Sequence, residues 1–265
     1  MYADPDSFIC APDGAKPHVS ASALPAKEDL LFRGLAGATV EFPEGISQVK
    51  GSSLLNILPS EDDNFRLERS LRTQGFTCIA GTDEVGRGPL AGPVVAACVT
   101  LPPYCDASPF LDSKETSHAQ RLKLGSLLQE NGATIGIGIV SHRQIDTINI
   151  LQASLLAMKL AVFHHSTVGA TPDFILVDGR FELPLSVPQL ALIKGESKSG
   201  SIAAASIVAK LQRDRIMTSL DEKYPHYNFR QNKGYATLHH RQAIAGYGPC
   251  PVHRLTFKGV REFVI

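Results

Sequence analysis

From residue 76 onward the chain alternates short β-branched apolar runs with longer stretches whose apolar residues recur at helical spacing. Phe76–Asp83, Val94–Leu101 and Thr134–Val140 are rich in Val, Ile and Thr, and they predict three strands. Pro172 resets the chain before Phe174-Ile175-Leu176-Val177, which reads as a fully buried strand ending at Asp178-Gly179. Leu190–Ile193 predicts a short fifth strand. Ser141 is placed to cap a long helix reaching about His165, with Ile145, Ile148, Leu155, Leu156 and Leu160 as its apolar stripe. Further helices are expected from Asp62-Asp63 to Gly75, from Ser201 to Lys223 and over Tyr235–Ala245. Strands interleaved with helices predict an α/β sheet covered by helices on both faces.

Residues 1–63 break this pattern. Of these, 26 are Gly, Ala, Pro or Ser, and no periodicity persists. They are expected to form a disordered N-terminal extension, leaving residues 64–265 as the folded domain. The 265 residues suit one large domain plus such an extension. The formal net charge of zero hides an asymmetry: residues 1–63 hold 10 acidic and 4 basic groups, whereas 64–265 hold 16 and 22. The mildly basic larger part is compatible with a polyanionic partner, and equally with an ordinary solvated surface.

Ordinary apolar and charged content excludes fibrous and wholly disordered classes. Five scattered cysteines (Cys10, Cys78, Cys98, Cys105, Cys250) form no metal-ligand spacing, and point to reduced thiols in a cytoplasmic setting. Cys78 and Cys98 lie in apolar runs and read as core. No run of about 18 uninterrupted apolar residues occurs, so no membrane span is expected. The N-terminus has no signal-peptide layout, and a monomer is expected.

Three carboxylates follow apolar runs: Asp83, Glu84 and Asp178. Each is expected at the rim of a buried sheet, where α/β folds place their chemistry. Acids without histidine suit Mg²⁺ or Mn²⁺ rather than zinc. Two such ions can clamp the attacking and leaving oxygens of a phosphodiester. By spacing alone, the same acids serve equally well as caps or as arginine partners. Adjacent strand residues point to opposite faces, so one site using both Asp83 and Glu84 requires the strand to end or twist there. Gly86-Arg87-Gly88 follows at once and permits close approach to a ligand.

The stretch Gly81-Thr82-Asp83-Glu84-Val85-Gly86-Arg87-Gly88-Pro89-Leu90-Ala91-Gly92-Pro93 resembles the opening motif of the ribonuclease HII family. Four further blocks resemble that family in order: Leu111-Asp112-Ser113-Lys114, Val177-Asp178-Gly179, Lys194 to Lys210, and Asn232-Lys233-Gly234-Tyr235 running on to His253. The resemblance implies a ribonuclease H-like fold with a mixed five-stranded central sheet flanked by helices. It implies an endonuclease acting on the RNA strand of RNA/DNA hybrids and on duplex DNA with embedded ribonucleotides, leaving a 3′-hydroxyl and a 5′-phosphate.

Carried over, Asp83, Glu84 and Asp178 resemble the metal-binding acids of Mg²⁺- or Mn²⁺-dependent catalysis. Glu196 stands where the family usually has Asp, and its extra methylene moves the carboxylate by about a bond length. The Gly86-Arg87-Gly88 main chain is expected at the ribose 2′-hydroxyl, and Tyr235 stacked on the following deoxyribose. Ser113, Lys114 and Lys233 are candidate phosphate contacts. Lys210, Arg213 and Arg215 are expected to be solvated on their helix. His253 is expected to be structural, and His164, His165, His239 and His240 to occupy surface or helix positions. The related ribonuclease HIII type, which typically has Gly-Thr-Gly in the turn, fits less well because Arg87 stands there. A non-catalytic binding module of the same fold is the alternative from a different class.

Overall fold

The computed structural model describes residues 64–110 and 117–264. The expected extension, the helix start at Asp62-Asp63, and Ser113 with Lys114 lie outside the described residues. Five strands form one mixed sheet in the order β3-β2-β1-β4-β5. These are β1 (Ile79–Val85), β2 (Val94–Thr100), β3 (Thr134–Val140), β4 (Phe174–Asp178) and β5 (Gln189–Leu192). The β1-β2-β3 meander is antiparallel, while β4 and β5 add in parallel on the other side of β1. Central β1 is thus paired on both edges, and it carries Asp83 and Glu84.

Helices cover both faces because successive strand residues alternate sides. Ala96 and Cys98 of β2 join a core cluster with α3 (His142–Val168), whereas Ala97 and Val99 join another with α4 (Gly200–Lys223). Four other α-helices lie among the described residues: α1 (Arg66–Thr73), α2 (His118–Glu130), the single turn α5 (Phe229–Asn232) and α6 (Leu238–Tyr247). Cys78 and Cys98 are buried, as expected of core residues.

Helix α3 keeps only part of its expected stripe: Ile145 is buried in the core, whereas Ile148, Leu155, Leu156 and Leu160 are half-buried against it. Ser141 does cap it, through a reciprocal pair with Gln144. The residues facing the sheet, however, are Ala153, Ala157, Ala161 and His165, with the leucines only half-buried beside them. The reason lies in β3: a β-carbon at Gly138 would fall 1.9 Å from the Ala157 carbonyl oxygen, and one at Gly136 would fall 2.1 Å from that of Ala161. Backbone packs on backbone here, and only small residues allow it. The helix is also interrupted at Asn149 (φ 66°), whose side chain accepts the Leu151 and Gln152 N–H groups and caps a second segment. By length and composition α3 could cross a membrane, although it reads in sequence as an ordinary helix; here its small-residue face packs on the sheet.

Boundaries elsewhere shift for local reasons. The first predicted strand begins three residues late, at Ile79, because the segment before it is held by Asp173, whose carboxylate accepts the Thr77 and Cys78 N–H groups. The helix expected from Tyr235 begins at Leu238, since Thr237 is its cap and the Tyr235 carbonyl is occupied by His240 and by the Thr237 N–H. Helix α2 was not expected: of its residues only Leu128 is buried, so no apolar stripe announces it.

Candidate active site

The parallel ladder between β1 and β4 ends at the rung Thr82–Val177, and the next residue on each strand is an acid, Asp83 and Asp178. Sequence alternation alone could not align them; the parallel register does. Strand β1 does not end there, contrary to expectation, but pairs with β2 through Val85. Asp83 Oδ1 instead accepts the Glu84 N–H at 2.7 Å, which brings the first carboxylate against the peptide of the second.

Asp83 is buried, and its carboxyl is pushed well above the ordinary range by desolvation first, then by the Glu84 and Asp178 charges; a hydrogen bond from Ser206 of α4 partly opposes this. Glu84 is raised too, chiefly by desolvation and also by Asp178, with Arg87 acting against the shift from 3.2 Å. Three acids that repel one another at a sheet rim are therefore held together by the fold. Such an arrangement marks a functional site more often than a structural one.

Glu196 is buried in a single 3-10 turn, Gly195–Ser197, entered through Lys194 in the left-handed region. The Gly195 N–H donates to Asp178 Oδ1 at 2.7 Å, so the turn bearing the fourth acid is tied to the third. Among the described residues no group of three or more His, Cys, Asp or Glu side chains is placed to hold a metal ion by itself. The donor set nonetheless fits a hard divalent cation. Mg²⁺ keeps waters and typically takes one or two carboxylates together with substrate phosphates, so a closed protein cage is not required.

Beside the acids lies the Gly86-Arg87-Gly88 turn. Its carbonyls are held by Arg254, which is fully buried and donates to Gly86, Arg87, Gly92 and Pro93 oxygens. The Tyr235 ring, about half exposed, comes within 3.7 Å of where a β-carbon on Gly88 would lie. The structure therefore brings together Asp83, Glu84 and Asp178 at the sheet rim, ties the turn that bears Glu196 to Asp178, and sets Arg87 against Glu84 and Tyr235 against Gly88. Lys233 is near, but its ammonium is turned to the Thr218 hydroxyl at 3.4 Å.

One sequence expectation is corrected here, and one histidine is further inside than its helix position suggests. Arg213 is not solvated: it is fully buried on α4, unlike Lys210, whose ammonium pairs with Asp214 at 2.7 Å. His240 lies on helix α6, one of the two positions expected for it. It is buried, with its Nε2 3.0 Å from His253 Nε2. Because His253 Nδ1 accepts the Cys250 N–H, its Nε2 carries the proton and donates to His240, whose Nδ1 then donates to the Tyr235 carbonyl. Burial lowers Arg213 to about 10 and Arg254 to about 9, so both stay charged at neutral pH. Arg254 did not stand out in sequence, and neither it nor Arg213 nor His240 has a partner there that would announce its burial.

A family model for ribonuclease HII matches residues 80–260. The chain is 59% identical over 211 residues to ribonuclease HII of Desulfotalea psychrophila, covering 80% of this chain and 93% of that one. It is 48% identical over 196 residues to the Bacillus subtilis ribonuclease HII, covering 74% and 75%. Among solved structures it is similar to the ribonuclease H2 of Pyrococcus horikoshii, with a TM-score of 0.58 at 26% identity over 71% of this chain and 97% of that one. A ribonuclease HIII solved in complex with Mn²⁺ shares the fold, with a TM-score of 0.55 at 17% identity over 90% of this chain and 80% of that one. Matched over most of its length by model, sequence and fold, this chain belongs to the ribonuclease HII family and is a metal-dependent endoribonuclease.

Proposed function

We propose that the enzyme incises duplex DNA at embedded ribonucleotides and cleaves the RNA strand of RNA/DNA hybrids, leaving a 3′-hydroxyl and a 5′-phosphate. The observation that carries this reading is the placement of Tyr235 against Gly88, in the turn that starts two residues after Glu84. A turn whose main chain is exposed at Gly88 suits a ribose 2′-hydroxyl, the group that separates RNA from DNA. A half-exposed aromatic ring next to it suits stacking on the neighbouring sugar.

Asp83, Glu84 and Asp178 would hold Mg²⁺ or Mn²⁺, with Glu196 contributing from its turn. Such ions supply charge neutralisation at the attacking and leaving oxygens of the phosphodiester. The protein's own part is to keep the acids close despite their repulsion and to fix the Asp178 carboxylate through the Gly195 N–H. Arg87 pairs with Glu84 at 3.2 Å and opposes the rise of its carboxyl.

The test is a duplex with one embedded ribonucleotide, incubated with Mg²⁺ or Mn²⁺ in parallel with a continuous hybrid. Incision on the 5′ side of the ribonucleotide-to-deoxyribonucleotide step supports the reading. Binding without incision at every metal concentration would leave only a non-catalytic module.

A further inference from the structure

Arg213 joins two segments that are 120 and 20 residues away from it in sequence. Its Nε donates to the Pro93 carbonyl at 3.0 Å and its Nη2 to that of Ala91 at 3.2 Å, both in the loop that continues the Gly86-Arg87-Gly88 turn. Its Nη1 donates to the Lys233 carbonyl at 2.9 Å, two residues before Tyr235. The same two segments meet directly where the Leu90 N–H donates to the Gly234 carbonyl at 2.8 Å. Space around the junction is minimal: a β-carbon on Gly86 would fall 2.2 Å from Arg213 Nε, and one on Gly234 would fall 2.7 Å from the Ala91 carbonyl oxygen. Lys233 and Gly234 both occupy the left-handed region, at φ 51° and 84°, so the segment reaches Tyr235 through backbone that needs holding.

Arg213 makes no ion pair among the described residues; all its hydrogen bonds run to main-chain carbonyls. Desolvating a guanidinium is costly, and an apolar residue of similar volume is often at least as stabilising. A planar fork with donors in fixed directions does something an apolar side chain cannot, which is to set the spacing of two backbones.

We propose that Arg213 is a positioning residue for substrate selection: it fixes the distance between the Gly86–Gly88 turn and Tyr235, and thereby the preference for a ribose-to-deoxyribose step over continuous hybrid. This rests on the junction reading above. Arg213 does not touch the acids and acts through the two segments it bridges.

The experiment compares the full-length protein with Arg213→Lys, Arg213→Gln, Tyr235→Ala and the Arg213→Lys/Tyr235→Ala double variant. Each is assayed with Mg²⁺ on a single-ribonucleotide duplex and on a continuous hybrid, with kcat and KM separated and folding followed by thermal unfolding. Lys keeps the charge but cannot reach three carbonyls, so the junction-to-hybrid ratio of kcat/KM should fall by about tenfold or more, mainly through KM. The double variant should be little worse than Tyr235→Ala, since without the ring the spacing that Arg213 sets has nothing left to position. Equal losses on both substrates, or multiplying losses in the double variant, overturn the proposal. So does loss of the folded state in both Arg213 variants, because the residue would then be holding the domain together. A wild-type protein without junction preference overturns the junction reading and this proposal with it; a wild-type preference that survives in Arg213→Lys overturns the proposal alone.

Discussion

The Asp178 carboxylate accepts the main-chain N–H of Gly195 at 2.7 Å, so the acid at the end of β4 and the turn that presents Glu196 form one unit. A change in the Glu196 side chain is therefore expected to alter where its carboxylate reaches without moving Asp178. Glu196→Asp should remain active with a changed Mg²⁺/Mn²⁺ preference, whereas Glu196→Gln should lose activity with both. Titrating each metal against the incision rate checks this, and an inactive Glu196→Asp would show that the turn has adapted to the longer acid.

Charge, rather than shape, is what the rim acids contribute. Asp83→Asn and Asp178→Asn should keep the fold and lose cleavage. Near wild-type turnover in either would remove that residue from the metal site.

The raised Asp83 carboxyl also sets a direction for stability. A carboxyl raised on folding holds more protons in the native state than in the unfolded one, so its contribution is most favourable at low pH and is lost as pH rises through the native value. In the metal-free protein at neutral pH, Asp83→Asn should then raise Tm, by about 2–4 °C for each kcal/mol relieved. An unchanged or lower Tm would show that Asn loses as much in the bond from Ser206 as it gains in repulsion.

Stacking needs a ring and not a hydroxyl. Tyr235→Phe should therefore cost less than Tyr235→Ala, for which a stacked contact of about 1–3 kcal/mol implies a loss of roughly 5- to 150-fold. The loss should concentrate on single-ribonucleotide duplexes. Equal loss on continuous hybrid would leave Tyr235 as packing.

Acid should unfold the protein through His253. Burial, followed by the neighbouring His240, lowers it to about 3, so below the ordinary histidine value the unfolded chain takes up a proton that the native state refuses. Stability is accordingly complete above about pH 6.5 and is lost progressively as pH falls from there toward 3. His253→Gln should be less stable at neutral pH but show a flatter acid limb in Tm against pH. An unchanged slope would assign the acid lability to other groups.

Much of the site was legible in the sequence because its chemistry is local. Asp83, Glu84 and the Gly86–Gly88 turn are consecutive, and each apolar run that ends in an acid carries its own strand signal. Ser141 and the strand Thr134–Val140 were equally plain, since a cap and a β-branched run act within a few residues. The inward face of α3 was not, because the glycines of β3, on another element, decide that alanines rather than leucines meet the sheet.

What the sequence determined by itself, then, was the order of the elements and which acids stand at their ends, since hydrophobic period and turn chemistry act over short separations. The tertiary structure alone decided that Asp83 and Asp178 both follow the last rung shared by β1 and β4, and that Arg213, His240 and Arg254 lie inside. Those three are polar residues whose partners are carbonyls and a ring nitrogen brought up by chain closure, as when Arg254 reaches Gly86 across 168 residues. A main-chain carbonyl is present at every position in a sequence, so nothing local marks which ones will need a buried donor until the fold has placed them out of reach of water.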